Sequence, residues 1–211
     1  VRDLDCLDGI VTLGPDEERL LSSYHSPIVL LKKNRDVPPD RILAPGVAPG
    51  NTHLGIMLPN TPLHHLILGK GPHILVMTSG NRSGEPLSID NDDALDAFSH
   101  IADAFVLHNR DIFFGADDSV TRVMNNTCRF IRRSRGYAPL PVYLDKPLPP
   151  ILACGAGMKN TICLTRNRHA FLSPHIGDLE NQAVHAYFTR TIDHLEKILD
   201  IRPGCVAHDL H

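Results

Sequence analysis

Four small hydrogen-bonding residues, Thr78-Ser79-Gly80-Asn81, follow the apolar run Ile74-Leu75-Val76-Met77, and a second Ser-Gly pair, Ser83-Gly84, comes directly after them. Hydroxyls donate and accept, and the asparagine amide does both. A glycine between them lets a ligand approach the backbone. Two readings stand side by side: a turn, because Ser, Gly and Asn dominate turns, or the polar floor of a pocket at a strand end, where α/β sheets commonly bind ligands. A second group lies in "DDSVTRV" and "RFIRRSRGYAP". Ser119 begins one strand of an expected hairpin, and Arg132, Arg133 and Arg135 end its partner. Guanidinium forks match phosphate and carboxylate oxygens; the same residues also suit a solvated basic strand end. Asp117 and Asp118 either hold Mg²⁺ or pair with those arginines. The third group is "CGAGMKNT", where Lys159, Asn160 and Thr161 follow a Gly-containing turn. Such a turn can wrap phosphates with backbone N–H groups and one cation, although the Walker spacing is absent. The histidines are spread out. His64 and His65 are adjacent and cannot share a helix face, and His208-Asp209-x-His211 has nothing else to complete a metal coordination set. No metal site is expected within the chain, and no catalytic nucleophile or acid–base residue stands out.

The elements that must position these groups follow from periodicity. "SPIVLLKK" (Ser26 to Lys33) reads as a buried strand. The stretch from Asn34 to Asn60 is rich in Pro and Gly and reads as loop, and "TPLHHLIL" as a short helix with Pro62 in its first turn. "HILVMTS" is expected to be a strand. "IDNDDALDAFSHIADAF" carries an apolar stripe of Ala94, Leu95, Phe98, Ile101, Ala102 and Phe105 and is expected to be one helix, with acidic residues at its N-terminal end. "AFVLHN" reads as another strand, and "SVTRVMNNTCRFIRRSRG" as a hairpin turning at Asn125-Asn126. The three prolines of "LDKPLPP" resist helix and central strand alike and are taken as a boundary between domains at 1–145 and 151–211. Beyond it, "ILACGAGMKNTICLTRNRHAFLSPHIGD" reads as a strand, a turn and two strands joined at Arg166-Asn167-Arg168. A helix follows, with Val184, Tyr187, Phe188, Thr191, Leu195, Ile198 and Leu199 on one face, and "GCVAHDL" is a last strand. Strands and helices in this order make a mixed α/β protein.

Composition narrows the function classes. The 211 residues, 42% of them hydrophobic, suffice for one sizeable core or two small ones. A formal charge of −3 offers no field for nucleic acid or an anionic membrane. No apolar run approaches the ~18 residues of a membrane span. Five scattered cysteines without a C-x-x-C pair suggest a reduced, cytoplasmic protein without disulfides or a zinc ribbon.

Eight segments, "MLPNTPLHHLIL", "VMTSGNRSGEP", "HNRDI", "DDSVTRV", "RRSRGYAP", "ACGAGMKNTICL", "SPHIGDLEN" and "VAHDLH", occur in the order in which the HypF carbamoyltransferases of [NiFe]-hydrogenase maturation carry them. The chain resembles that family from end to end. The resemblance implies a YrdC-like twisted mixed sheet with helices, followed by the first part of an actin/sugar-kinase-like (ribonuclease H-like) transferase domain related to the tRNA-threonylcarbamoyl transferases. It also implies that the chain is a piece. The family's acylphosphatase and zinc-binding segments, its early Lys-x-Arg motif and its downstream His-rich metal motif are missing, so the transferase metal and half of a nucleotide pocket should be absent. HypF-like enzymes release carbamate from carbamoyl phosphate and activate it with ATP and Mg²⁺ as carbamoyl-adenylate. They then place the carbamoyl group on the C-terminal cysteine of HypE. By the same resemblance Thr78, Ser79 and Asn81 match the Ser-x-Asn signature that would hold carbamoyl-adenylate, and Ser119 matches the serine of the nucleotide hairpin. Arg132 and Arg133 would face phosphate or the small anion, and Lys159, Asn160 and Thr161 would form a phosphate loop of the second domain. The competing readings are a YrdC-type threonylcarbamoyl-adenylate synthase for tRNA modification, which should not continue into the second domain, and a non-catalytic RNA-binding module, which the charge and the few aromatics oppose.

Overall fold

The computed structural model describes residues 1–35, 37 and 43–210. Part of the expected Pro/Gly-rich loop and His211 of the His-Asp-x-His run lie outside the described residues. The chain forms two compact units, residues 1–78 with 118–137, and residues 79–117 with 138–211.

In the first unit a 3-10 turn (Leu4–Leu7), β1 (Val11–Thr12), α1 (Pro15–Leu21), β2 (Ile28–Lys33), β3 (His53–Ile56), α2 (Pro62–Lys70), β4 (Val120–Met124) and β5 (Thr127–Arg132) follow in chain order. The sheet runs β1-β2-β4-β5, with β3 also on β2. The β2–β4 pair is parallel and the other pairs are antiparallel. Val29 and Leu31 of β2 point to one face, as the two-residue period of a strand requires. There they close a core with Leu7, Ile10, Val11, Leu21 and Leu54. Helix α2 starts as read from the sequence: Thr61 Oγ1 accepts from the His64 N–H at 3.2 Å, and Pro62 occupies the first turn. The hairpin turns at Asn125 (φ 50°) and Asn126 (φ 55°), the paired left-handed geometry of a tight two-residue turn.

Two expected strands do not form. His73–Ser79 and Phe105–Asn109 are irregular, and Val76 and Val106 are each 80% exposed. A strand exists through its ladder partners, and neither segment has one among the described strands. The long helix expected from Ile89 onward is likewise cut to α3 (Asn91–Phe98). Asp90 caps it, accepting from the Asp92 and Asp93 N–H groups. None of its residues is buried, and Ile101 beyond its end is 77% exposed. Helices draw most of their stability from a packed face, and this stripe packs too little to extend further.

The second unit adds β6 (Pro141–Leu148), β7 (Ile151–Cys154), β8 (Ile162–Leu172), α4 (Gln182–Leu199) and β9 (Cys205–Ala207). Its sheet is ordered β6-β8-β7-β9, parallel only between β7 and β9. Of the prolines of "LDKPLPP", Pro149 and Pro150 separate β6 from β7, while Pro147 lies within β6. β6 runs through Pro147 because it is an edge strand with an irregular register between Tyr143 and Leu148, the setting in which a sheet tolerates proline. The two strands expected to meet at Arg166-Asn167-Arg168 are one continuous β8, with Asn167 at φ 54° absorbing the irregularity. Asn181 caps α4 through Oδ1 to the Ala183 N–H at 2.8 Å. The helix buries Val184, Tyr187, Thr191 and Leu195 in a core with Leu152, Ile162, Leu164, Phe171, Ile176 and Ile201. Ile198, expected on that face, is 52% exposed. The molecule is mixed α/β, as its element order implied.

Candidate functional site

The Thr78–Asn81 stretch is a loop that braces itself. Thr78 is exposed at the end of the first unit's run. In the second unit Ser79 Oγ donates to Asn81 Oδ1 at 2.5 Å. Asn81 Nδ2 donates to the carbonyls of Arg82 at 3.0 Å and Glu85 at 2.9 Å, and the Ser88 N–H reaches Gly80 O at 2.8 Å. The turn reading is thus correct for the backbone, and Ser79 remains exposed on that turn. With the hydroxyl proton and both amide protons committed to the brace, the loop keeps only the lone pairs of Ser79 Oγ and Asn81 Oδ1 as acceptors, held in place.

Ser119 has a different setting. Its side chain is 0% exposed. Its Oγ accepts from the Ser134 N–H at 2.8 Å and donates to Arg135 O at 2.9 Å. It locks the start of β4 to the end of β5. Around this lock Arg132 Nε donates to Asp118 O at 2.9 Å, and Arg133 donates to Tyr137 O at 2.7 Å. The Arg135 guanidinium lies 2.6 Å from Asp118 Oδ1 and also donates to Ser26 O at 3.1 Å. Of the two roles open to Asp118, the structure shows the ion pair. Next to it Gly136 sits at φ +87°, where an added Cβ would lie 2.3 Å from His25 O. The close approach of these two backbones requires glycine.

In the third group Lys159 is exposed with φ 50°, and its N–H donates to Asp178 Oδ1 at 2.6 Å. The Asn160 N–H donates to Gly177 O at 2.8 Å, and the Gly155 N–H to Thr161 O at 3.0 Å. Three N–H groups of the loop are thus already engaged. Asn160 is 1% exposed. Its Nδ2 donates to Ala156 O at 2.7 Å, which fixes the orientation of the amide. The Asn160 Oδ1 is buried without a hydrogen-bond partner, and a buried acceptor of this kind suits a donor such as an amide N–H better than a phosphate oxygen. Thr161 is half-buried beside it.

The sequence reading passed over one cluster in the second unit. Tyr187 of α4 donates its hydroxyl to Gly115 O at 2.5 Å. Its ring stacks on Phe114 with centroids 5.2 Å apart, and Phe114 stacks on His194 at 4.7 Å. Burial, with Asp117 adding to it, pushes the Tyr187 phenol up to about 12, so the hydroxyl is a permanent donor. The available signal was chemical: a tyrosine on an apolar helix face must still find a partner for its O–H.

Among the described residues no group of three His, Cys, Asp or Glu side chains is placed to hold a metal ion. No helix among them is long and apolar enough to cross a membrane.

Comparison with known proteins bears on both units. The sequence profile of the Sua5/YciO/YrdC family, described as telomere recombination, matches residues 1–134, and that of the HypF Kae1-like domain matches residues 146–211. Carbamoyltransferase HypF2 of Cupriavidus necator is 44% identical over 216 residues, covering 94% of this chain and 26% of its own length. Carbamoyltransferase HypF of Rhizobium leguminosarum bv. viciae is also 44% identical, covering 100% of this chain and 28% of its own. The chain therefore spans about a quarter of the length of these relatives. Among solved structures, full-length HypF in a phosphate- and nucleotide-bound form matches with a TM-score of 0.89 at 42% identity, over 100% of this chain and 33% of that one. HypF of T. kodakarensis matches with a TM-score of 0.92 at 34% identity, over 100% of this chain and 27% of that one. Motif order, fold and these matches agree, and the chain belongs to the HypF carbamoyltransferase family, carrying a YrdC-like stretch followed by a Kae1-like one.

Proposed function

We propose that this chain is the part of a complete HypF-type carbamoyltransferase that activates a carbamoyl group with ATP and begins its transfer. In this reading water hydrolyses carbamoyl phosphate, giving carbamate and inorganic phosphate. A carbamate oxygen attacks the α-phosphorus of ATP, the Pα–O–Pβ bond breaks, and pyrophosphate leaves. A thiolate, the C-terminal cysteine of HypE, then attacks the carbamoyl carbon of carbamoyl-adenylate and AMP leaves. Such steps depend on positioning and charge neutralisation more than on a protein nucleophile.

The observation that carries the reading is the braced loop at Ser79 and Asn81: its hydroxyl and amide protons are held within the loop, which leaves oxygen lone pairs on Ser79 and Asn81 that suit the NH₂ of a carbamoyl group. Thr78 is the neighbouring hydroxyl. The arginines Arg132 and Arg133 supply positive charge on the hairpin end that Ser119 locks in shape. On the second unit Lys159 is the cation and Thr161 a hydroxyl, and the buried Asn160 Oδ1 favours the carbamoyl NH₂ over a phosphate. Asp118 is held by Arg135, so Mg²⁺ would arrive with the nucleotide phosphates and keep most of its waters. The described residues do not fit a zinc site, and no step is assigned to one.

The second reading is a threonylcarbamoyl-adenylate synthase. The match over residues 1–134 favours it and the match over 146–211 does not. AMP release by the complete protein separates the two. Carbamoyl phosphate should support it; release that instead requires threonine and bicarbonate moves the protein to the tRNA pathway.

A further inference from the structure

The Ser79–Asn81 loop is held from behind by the helix of the Kae1-like stretch. Within the second unit the contacts form an unbroken path. Tyr187 of α4 donates to Gly115 O at 2.5 Å, in a buried setting. Gly115 packs so closely on Leu87 and Ile89 that an added Cβ would lie 3.3 Å from Leu87 Cβ and 3.1 Å from Ile89 Cγ2. Between those two residues, the Ser88 N–H donates to Gly80 O at 2.8 Å. From there Asn81 Nδ2 ties to Glu85 O and Ser79 Oγ to Asn81 Oδ1. Tyr187 lies in the range matched by the Kae1-like profile, and every other residue of the path lies in the range matched by the YrdC-type profile. We propose that Tyr187 is a positioning residue of the carbamoyl-activating site, acting through Gly115 and the Leu87–Ile89 strip to set the Ser79–Asn81 loop. The inference rests on the function proposed above for that loop. Nothing in the packing of α4 itself requires the hydroxyl: the helix already buries Val184, Thr191 and Leu195 around it, and a phenylalanine would keep the stack on Phe114.

The complete protein is compared as wild type, Tyr187→Phe, Gly115→Ala and Arg190→Ala. Arg190 lies over the Tyr187 ring, 5.5 Å from its centroid, and its loss disturbs the same helix without touching the hydroxyl bond. Hydrogen–deuterium exchange reads the loop without any need for activity. Tyr187→Phe should speed exchange in peptides covering 79–89 by about 3- to 10-fold, the size expected for one lost hydrogen bond. Gly115→Ala should do the same from the other side, and Arg190→Ala should not. In steady-state assays of carbamoyl-phosphate-dependent AMP release, Tyr187→Phe should raise KM for carbamoyl phosphate by a similar factor with kcat within about 2-fold, the pattern of weakened uniform binding. Unchanged exchange at 79–89, an equal effect from Arg190→Ala, or faster exchange with KM unmoved each overturns the positioning role. A wild type that releases no AMP sinks the assigned reaction instead, and the exchange result still decides whether Tyr187 holds the loop.

Discussion

At the scale of single residues, polar atoms with two satisfied bonds are the strongest constraints. Ser119 Oγ both accepts and donates at 0% exposure. Ser119→Ala leaves the Ser134 N–H without its acceptor and Arg135 O without a donor, and should destabilise the chain by about 1–3 kcal/mol. Urea denaturation checks it: the midpoint should fall with the slope unchanged, and an unmoved midpoint would show that the hairpin end does not need the lock. The turn at Ser79 and Asn81 was legible because its chemistry is local. Ser79 and Asn81 announced a polar turn, and the structure shows one. Whether Asp118 met a metal or an arginine was not legible, since Arg135 comes to it through hairpin register. Tyr187 was read only as part of an apolar face, because its partner, Gly115 O, is distant in sequence.

At the scale of elements, turn and helix-start chemistry carried well and strand partners did not. Pro62 in a first turn and the acidic start of α3 were read from the sequence, as was the hairpin turn at Asn125-Asn126; the caps Thr61 and Asn181 are seen only in the structure. The segments from His73 and from Phe105 were read as strands on composition alone. A strand depends on a neighbour that a one-dimensional pattern cannot supply, and neither segment has one among the described residues. At β6 the prolines act as read, against a central position: Pro147 sits in an edge strand, where a missing N–H has no consequence, and the strand ends before Pro149 and Pro150. Backbone crowding at Gly136 gives a prediction at this scale. Gly136→Ala places a Cβ 2.3 Å from His25 O at positive φ, and should destabilise the hairpin's junction by about 1–3 kcal/mol. Thermal unfolding should show a clearly lowered Tm, and an unchanged one would mean that the two backbones part without penalty.

At the scale of the whole molecule, charge and length set the terms. With 21 basic against 24 acidic side chains, binding to single-stranded RNA should be negligible, with no steep dependence on salt. A titration with RNA at 50 and 200 mM salt checks this, and tight, salt-sensitive binding would revive the RNA-binding reading. Family membership was legible from eight short segments in order, because motif order survives where single motifs are ambiguous. The central claim concerns the Ser79–Asn81 loop, which lies in one of those segments, "VMTSGNRSGEP". The most direct measurement is AMP release from ATP and carbamoyl phosphate by the complete protein, wild type against Ser79→Ala/Asn81→Ala. The account predicts carbamoyl-phosphate-dependent release that the double variant loses by at least about 100-fold, two hydrogen-bonding groups at about 1.4 kcal/mol per tenfold each. Release that the double variant retains in full would contradict it.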